Sequence, residues 1–235
     1  MRVNKWGIGV VLAAAVMLTS CASPAADKPA NEKPSNNASS EETAAPSSDC
    51  PELSEGATVD IKAMSVCAAD RMQDSDGYAA KSTSLGMDST ARYNPSTKSI
   101  ELISTVGSMV AIGDDAWVKS STSEWQVADP NSTDPIISAL STAAATASSQ
   151  DPAAAAAALN GEFTVTGTGE RLGKKVFLVT GTTDQAGVTI KATFEVTEDY
   201  IILATSTSAD VNGQSIESTL EVTEWDVSQD IVAPL

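Results

Sequence analysis

The chain has 235 residues, carries a formal charge of −17 at pH 7 and contains no histidine. Negative charge of this size repels phosphate backbones and anionic lipid headgroups, so we expect neither nucleic acid nor an electrostatically bound membrane surface as a partner. The lack of histidine excludes Ser-His-Asp and Cys-His catalysis as well as zinc sites built on imidazole, and the chain has no G-x-S-x-G nucleophile motif. We therefore predict a protein that is not an enzyme and that holds no metal and no cofactor.

The first 20 residues predict a secretory signal peptide. Arg2 and Lys5 give a positive start, and the apolar run from Trp6 to Leu18 is too short for a bilayer, which needs about 20 residues. The string LTSC, which ends at Cys21, resembles the L-x-x-C lipobox of bacterial lipoproteins. The resemblance implies that Cys21 carries the lipid that anchors the mature protein on the extracytoplasmic face of the cell membrane. The alternative is an ordinary signal peptide followed by a chance cysteine.

Residues 21–55 are rich in Pro, Ser, Ala, Asn and Glu and contain no aromatic side chain. Such a segment cannot bury enough apolar surface to offset its ordering entropy, so we predict a disordered acidic tether. With Cys21 assigned to the lipid, Cys50 and Cys67 remain as an even pair in an oxidising compartment. They form either a disulfide bond, which we favour, or two free thiols.

Residues 56–235 suit one domain, and its first element is a short helix. Asp60 is a candidate N-cap, while Val59 and Met64 occupy the two positions of a hydrophobic staple. Apolar residues recur at helical spacing as far as Met72. The string DSDG, which begins at Asp74, then predicts the end of the helix.

Five strands, two helices and five further strands follow in the predicted order. The breaks between the first five strands fall at turn residues: Gly86, Asn94–Pro95 and Gly113–Asp115. Residues 135–159 are dominated by Ala, Ser, Thr, Ile and Leu and predict two helices, the second with Asp151 as its cap and Pro152 at its first position. Among the last five strands, Asn212-Gly213 is a strong hairpin signal.

Hydrophobic alternation predicts how these elements are layered. Residues 188–194 and 216–222 place apolar or small side chains on one face and polar ones on the other, as an antiparallel sheet covered on a single side requires. A sheet of about ten strands curls. We therefore predict an α+β fold in which a large curved antiparallel sheet, a half-barrel, has a few helices on its concave face. Either an apolar cavity or a closed, filled core lies between the two layers.

Inward-facing positions of the predicted strands are the candidate ligand-binding residues. They are large apolar side chains chosen by strand alternation: Ile100, Leu102, Val110, Ile112, Val118, Val188, Ile190, Phe194, Leu203 and Leu220.

Several strings between residue 58 and the end resemble one family. VAIGDDAWVKSSTSEWQV, GERLGKKVFLVTG and LEVTEWDVSQDIVAP, together with the lipobox, tether and Ala-rich middle, are similar to actinobacterial envelope lipoproteins of the LppX/LprG type, which share the half-barrel of the LolA and LolB carriers. The resemblance implies a carrier that binds an acylated lipid or glycolipid within the cell envelope. We expect it to act as a monomer and to meet an envelope transport partner. The alternative is a non-enzymatic cell-wall interaction or accessory module with a filled core.

The lipobox resemblance predicts how the protein divides between detergent and water. The wild-type protein should enter the detergent phase in a phase-separation experiment, and Cys21→Ser should move it to the aqueous phase because the acyl chains are lost. A Cys21→Ser protein that still follows the wild type into detergent would rule out the anchor.

Overall fold

The computed structural model describes residues 50–149, 160–185, 187–211 and 213–235, which form two helices and twelve strands. The signal peptide, Cys21 and most of the tether lie outside the described residues, as does the helix predicted at Asp151. Neither described helix is long and apolar enough to cross a lipid bilayer.

The helices are α1 (Ile61–Gln73) and α2 (Pro135–Ser149). The strands follow in chain order: β1 (Thr58–Val59), β2 (Tyr78–Ser84), β3 (Met87–Asn94), β4 (Ser99–Ser104), β5 (Gly107–Ile112), β6 (Asp115–Ser120), β7 (Gln126–Val127), β8 (Glu162–Arg171), β9 (Lys174–Gln185), β10 (Val188–Thr197), β11 (Ile202–Val211) and β12 (Gln214–Trp225).

All the described strands belong to one sheet. Its spatial order is β1-β8-β9-β10-β11-β12-β2-β3-β4-β5-β6-β7, and every neighbouring pair is antiparallel. The sheet is curved and does not close, so the predicted α+β half-barrel is confirmed. The ten long strands are those that the sequence predicts, and the two additional strands are two-residue segments at the two edges.

Turn residues end the strands where the sequence predicts. Gly86 and Gly113 have φ values of +74° and +60°, a left-handed conformation that glycine adopts without steric cost. At the β11–β12 hairpin, Val211 pairs with Gln214 and Gly213 has a φ of +81°, whereas Asn212 lies outside the described residues.

The first helix begins as its capping signals predict. The Asp60 carboxylate accepts hydrogen bonds from the backbone N–H groups of Lys62 (2.9 Å) and Ala63 (3.2 Å). The helix ends at Gln73, with Asp74 of the DSDG string as its C-cap. Its apolar side packs on β8, β9 and β10 in what we call the α1 cluster: Val59, Ile61, Met64, Phe163, Val165, Val179, Ala192 and Val196.

The second helix covers the other half of the sheet. Asp134 caps it by accepting from the N–H of Ile136 (2.8 Å), and Pro135 follows at the first helical position, where its missing N–H costs nothing. Its buried side packs on β4, β5 and β6 in the α2 cluster: Leu102, Met109, Val118, Ile137, Leu140 and Ala144. A third group, the Trp225 cluster, comprises Tyr78, Val176, Ile201, Leu203, Val222 and Trp225.

A disulfide bond joins Cys50 to Cys67, with a Cα–Cα distance of 6.0 Å. It links the first described residue to the middle of α1. Closing a loop with a sequence separation of 17 stabilises the folded state by roughly 3 kcal/mol on the chain-entropy model.

The Asp60 cap predicts a measurable stability difference. Asp60→Ala should lower the free energy of unfolding by about 1 kcal/mol, because two helix N–H groups lose their acceptor. Asp60→Asn is the matched control, since its side-chain carbonyl still accepts, and it should unfold close to the wild type in urea. Equal losses in both variants would show that the carboxylate charge, rather than the cap, is what matters.

Candidate functional site

Strand register determines which side chains share the helix-covered, concave face. Directly paired residues of neighbouring strands point to the same side of a sheet. Val179 pairs with Phe194 on one side and with Val165 on the other, so all three lie on the concave face beneath α1. Leu102, paired with Met109, lies on the same face beneath α2.

Between the α1 and α2 clusters, the concave face is lined by side chains of β11, β12, β2 and the start of β3. Thr207 pairs with Ala192 of the α1 cluster, Ser218 pairs with Thr207, and Ser84 pairs with Ser218. These residues therefore lie on the same face of the sheet. We call the residues that line this part of the face the central strip, and each of them is half-buried: Ser82, Ser84, Met87, Ser89, Thr205, Thr207, Ala209, Ile216, Ser218 and Leu220.

The central strip mixes apolar and hydroxyl side chains, whereas the sequence predicts an apolar lining. The Ser82 and Ser89 hydroxyls are 2.7 Å apart, and those of Ser84 and Ser218 are 2.8 Å apart. Because these hydroxyls bond to one another, covering them with hydrocarbon costs less than covering unpaired ones. The ten residues of the strip are hydroxyl or apolar side chains, none of them ionisable.

Eight of the ten predicted ligand residues lie in the three clusters or along the concave face. Leu102 and Val118 belong to the α2 cluster and Ile100 packs against it, Phe194 packs against the α1 cluster, and Leu203 belongs to the Trp225 cluster. Val188 and Ile190 share the concave face of β10, since Ile190 pairs with Ala209 of the strip. Leu220 lies in the central strip itself.

Val110 and Ile112 lie on the opposite, convex face. The prediction from strand alternation that they face inward is therefore wrong. Val110 pairs with Glu101 and Trp117, and Ile112 pairs with Ser99 and Asp115. The physical reason is that β5 is buried on both faces from Gly107 to Ala111. A strand covered on both sides carries a continuous apolar run, in which the two faces cannot be told apart.

Sequence reasoning missed the hydroxyl members of the strip because it selected large apolar side chains. The alternation of β12 does place Ser218 between Ile216 and Leu220 on the dry face. An inward-facing serine or threonine in such a series was therefore the signal that could have found them.

An aromatic group lies at the end of the strip where β2 begins. The Tyr78 ring centroid is 5.5 Å from that of Tyr93 and 6.0 Å from that of Trp225. Burial raises the pKa of Tyr78, and the neighbouring Tyr93 raises it further. Burial also raises the pKa of Tyr93, against an opposing effect of a hydrogen bond with Gln73 at the end of α1.

Metal-ligating side chains are not clustered in the described part of the chain. No group of three or more His, Cys, Asp or Glu residues is placed there to hold an ion. On the convex face, Arg171 donates to both carboxylate oxygens of Glu195 (2.6 and 2.9 Å) and lies 3.7 Å from Glu221. The hydrogen bond with Glu195 raises the pKa of Arg171 above its ordinary value.

No protein-family model and no curated protein matches the chain. Among solved structures, it is similar to a DUF1329 family protein from Desulfovibrio piger ATCC 29098, with 10% identity, 72% of this chain and 95% of that chain covered, and a TM-score of 0.30. It is also similar to a domain from Vibrio parahaemolyticus provisionally described as an outer membrane lipoprotein-sorting protein domain, with 8% identity, 72% and 92% coverage, and a TM-score of 0.29.

The raised tyrosine pKa values predict how stability depends on alkaline pH. Above the ordinary pKa of 10.0, the unfolded chain releases the Tyr78 proton while the folded protein retains it, so stability falls as pH rises. Tyr78→Phe removes this contribution. Its free energy of unfolding, measured in urea across a pH series, should fall less steeply than that of the wild type above pH 10 and run parallel to it below. Equal slopes above pH 10 would contradict the assignment.

Proposed function

We propose that the protein is an extracytoplasmic lipoprotein, anchored through Cys21, that binds the acyl part of an envelope lipid or glycolipid and carries it within the cell envelope without enzymatic chemistry. The observation that carries this proposal is the central strip, a half-buried, uncharged surface between two packed clusters of one concave face. Surfaces of this kind bind by excluding water from the ligand rather than by charge.

Hydrocarbon transfer supplies enough free energy for such binding. Each buried methylene contributes about 0.8 kcal/mol, so an acyl chain that buries ten of them gains about 8 kcal/mol before the cost of association. Leu220 and Ile216 offer apolar contacts along β12. The neighbouring Ser and Thr hydroxyls suit the ester or sugar oxygens where a lipid's chain meets its headgroup, because each hydroxyl can both donate and accept.

The tether predicted from the composition of residues 21–55 would allow a bound lipid to be carried. A flexible coil of about 30 residues has a root-mean-square reach near 30 Å. A domain on such a tether can receive a lipid at the membrane and present it to an acceptor at that distance without detaching. The acidic charge of the chain keeps the domain from adhering to anionic headgroups in between.

The proposal predicts that lipid accompanies the protein and that filling the strip removes it. A Cys21→Ser protein made in its native host should yield lipid in an organic extract and a mass increment in native mass spectra. Leu220→Trp should abolish both, because the larger ring occupies the space of the chain. Val127→Trp is the matched control, since Val127 is 68% exposed at the sheet edge, and it should retain the lipid.

Folding of both variants is checked by circular dichroism and urea unfolding, so that loss of lipid is not confused with loss of structure. A Cys21→Ser protein without extractable lipid, or equal retention of lipid when Leu220→Trp is added to it, would refute the carrier. One observation favours the second candidate, a cell-wall interaction or accessory module. Several of the predicted ligand side chains, such as Leu102 and Val118, already fill the core clusters. That module predicts no lipid and a specific protein neighbour captured by crosslinking in the envelope.

A further inference from the structure

A groove lies on the convex face, away from the central strip. It has a volume of about 400 Å³ and is largely open to solvent. We call it the convex groove, and its polar lining includes Lys81, Arg92, Glu101, Glu224 and Gln229. All but Gln229 come from β12, β2, β3 and β4.

Register explains why a depression exists here. Across β12, β2, β3 and β4, the residues in one row are Glu224, Ala79, Arg92 and Glu101. Ala79 thus stands between two long charged side chains, and its single methyl group leaves the gap between them. A β-bulge between Val222 and Glu224 adds an extra residue beside the gap, a feature that often lies next to binding sites.

The C-terminal tail forms a fixed wall of the groove. Gln229 is 8% exposed, its N–H donates to the Asn94 side-chain oxygen (2.8 Å) and its carbonyl accepts from the Asn94 side-chain nitrogen (2.7 Å). The Gln229 side chain also donates to Glu224 (3.2 Å) and to the carbonyl of Val227 (2.8 Å). These bonds hold the tail and orient one Glu224 oxygen, Oε2, which leaves Oε1 for a ligand.

On the cationic side of the groove, Arg92 and Lys81 have N–H donors that the described part of the chain does not use. Arg92 directs both Nε and Nη2 to a single oxygen of Glu101, Oε2. In the described part of the chain, nothing bonds to Arg92 Nη1 or to the Lys81 ammonium. Both residues line the groove from neighbouring strands, β2 and β3, and guanidinium and ammonium groups are the side chains that bind carboxylates through charged hydrogen bonds.

The groove carries side chains of both charge signs, so a ligand with one charge of each sign complements it. A purely anionic ligand would meet Glu224 and the overall charge of −17, and a purely cationic one would meet Lys81 and Arg92. Glu224 and Arg92 are separated by two inter-strand spacings, roughly 9.5 Å between backbones. An extended chain of three residues spans at most about 10 Å.

We propose that the convex groove binds a short peptide of about three residues with free termini, its carboxylate held by Arg92 and Lys81 and its ammonium group by Glu224. The peptide lies across the strands, from β12 over Ala79 of β2 to β3. This site is independent of the lipid carrier proposal, because it lies on the other face of the sheet.

Calorimetric titration of the Cys21→Ser protein with tri-alanine tests the site. Tri-alanine with free termini should bind saturably, and N-acetyl-tri-alanine amide, which lacks both charges, should not. Lys81→Gln should weaken binding by about tenfold, the effect of one charged hydrogen bond. Ala79→Leu should abolish binding by filling the gap while leaving every charge in place.

Lys191→Gln, an exposed lysine on β10 outside the groove, is the matched control and should bind like the wild type. If circular dichroism shows that Ala79→Leu does not fold, the comparison of Lys81→Gln with Lys191→Gln decides. No saturable binding by the wild type, equal binding of the capped peptide, or equal weakening by the two lysine variants would overturn the proposal.

Discussion

A single antiparallel hydrogen-bond ladder runs from β1 to β7, and the face on which each side chain lies depends on its register. Because side chains alternate along a strand, a slip of one residue would exchange the two faces of that strand. The ladder shifts at three bulges, beside Val165, Glu195 and Val222. Bulges bend the strands that contain them and increase their twist, so they contribute to the curvature of the half-barrel.

Curvature and helix length together divide the apolar interior. The described helices have 13 and 15 residues, or roughly 20 Å each at 1.5 Å per residue. Ten long strands spaced by about 4.8 Å extend much further. Each helix therefore covers its own part of the sheet, and the α1 and α2 clusters do not merge. The central strip lies between the α1 and α2 clusters. There, two pairs of hydroxyls, Ser82 with Ser89 and Ser84 with Ser218, bond to each other across neighbouring strands.

Local signals predicted most of the fold, because turns and caps depend on a few neighbouring residues. Gly86 and Gly113 mark their turns by backbone freedom, and Asp60 marks the helix start by its carboxylate. The two-residue strands β1 and β7 were not predictable, since pairing over two residues leaves no periodic pattern.

The candidate site was less predictable than the fold, because it depends on contacts between distant residues. Alternation identified the concave face of β10 and β12 but failed for Val110 and Ile112, where both faces are buried. The reciprocal bonds between Asn94 and Gln229 join residues 135 positions apart, and nothing local to either residue signals them. The row that places Ala79 between Glu224 and Arg92 likewise exists only once the strands are paired.

The Cys50–Cys67 bond determines where a mechanical load enters the domain. A pull along the N-terminal segment reaches Cys50 first, and the covalent bridge passes it directly to Cys67 within α1. The intervening residues, edge strand β1 among them, are shielded from that tension. Without the bridge, the same pull would act on β1, whose two paired residues would peel from the sheet one after the other. With the disulfide bond intact, a pulling force thus acts on the packed helix α1. After its reduction, the same force would act first on the edge strand β1.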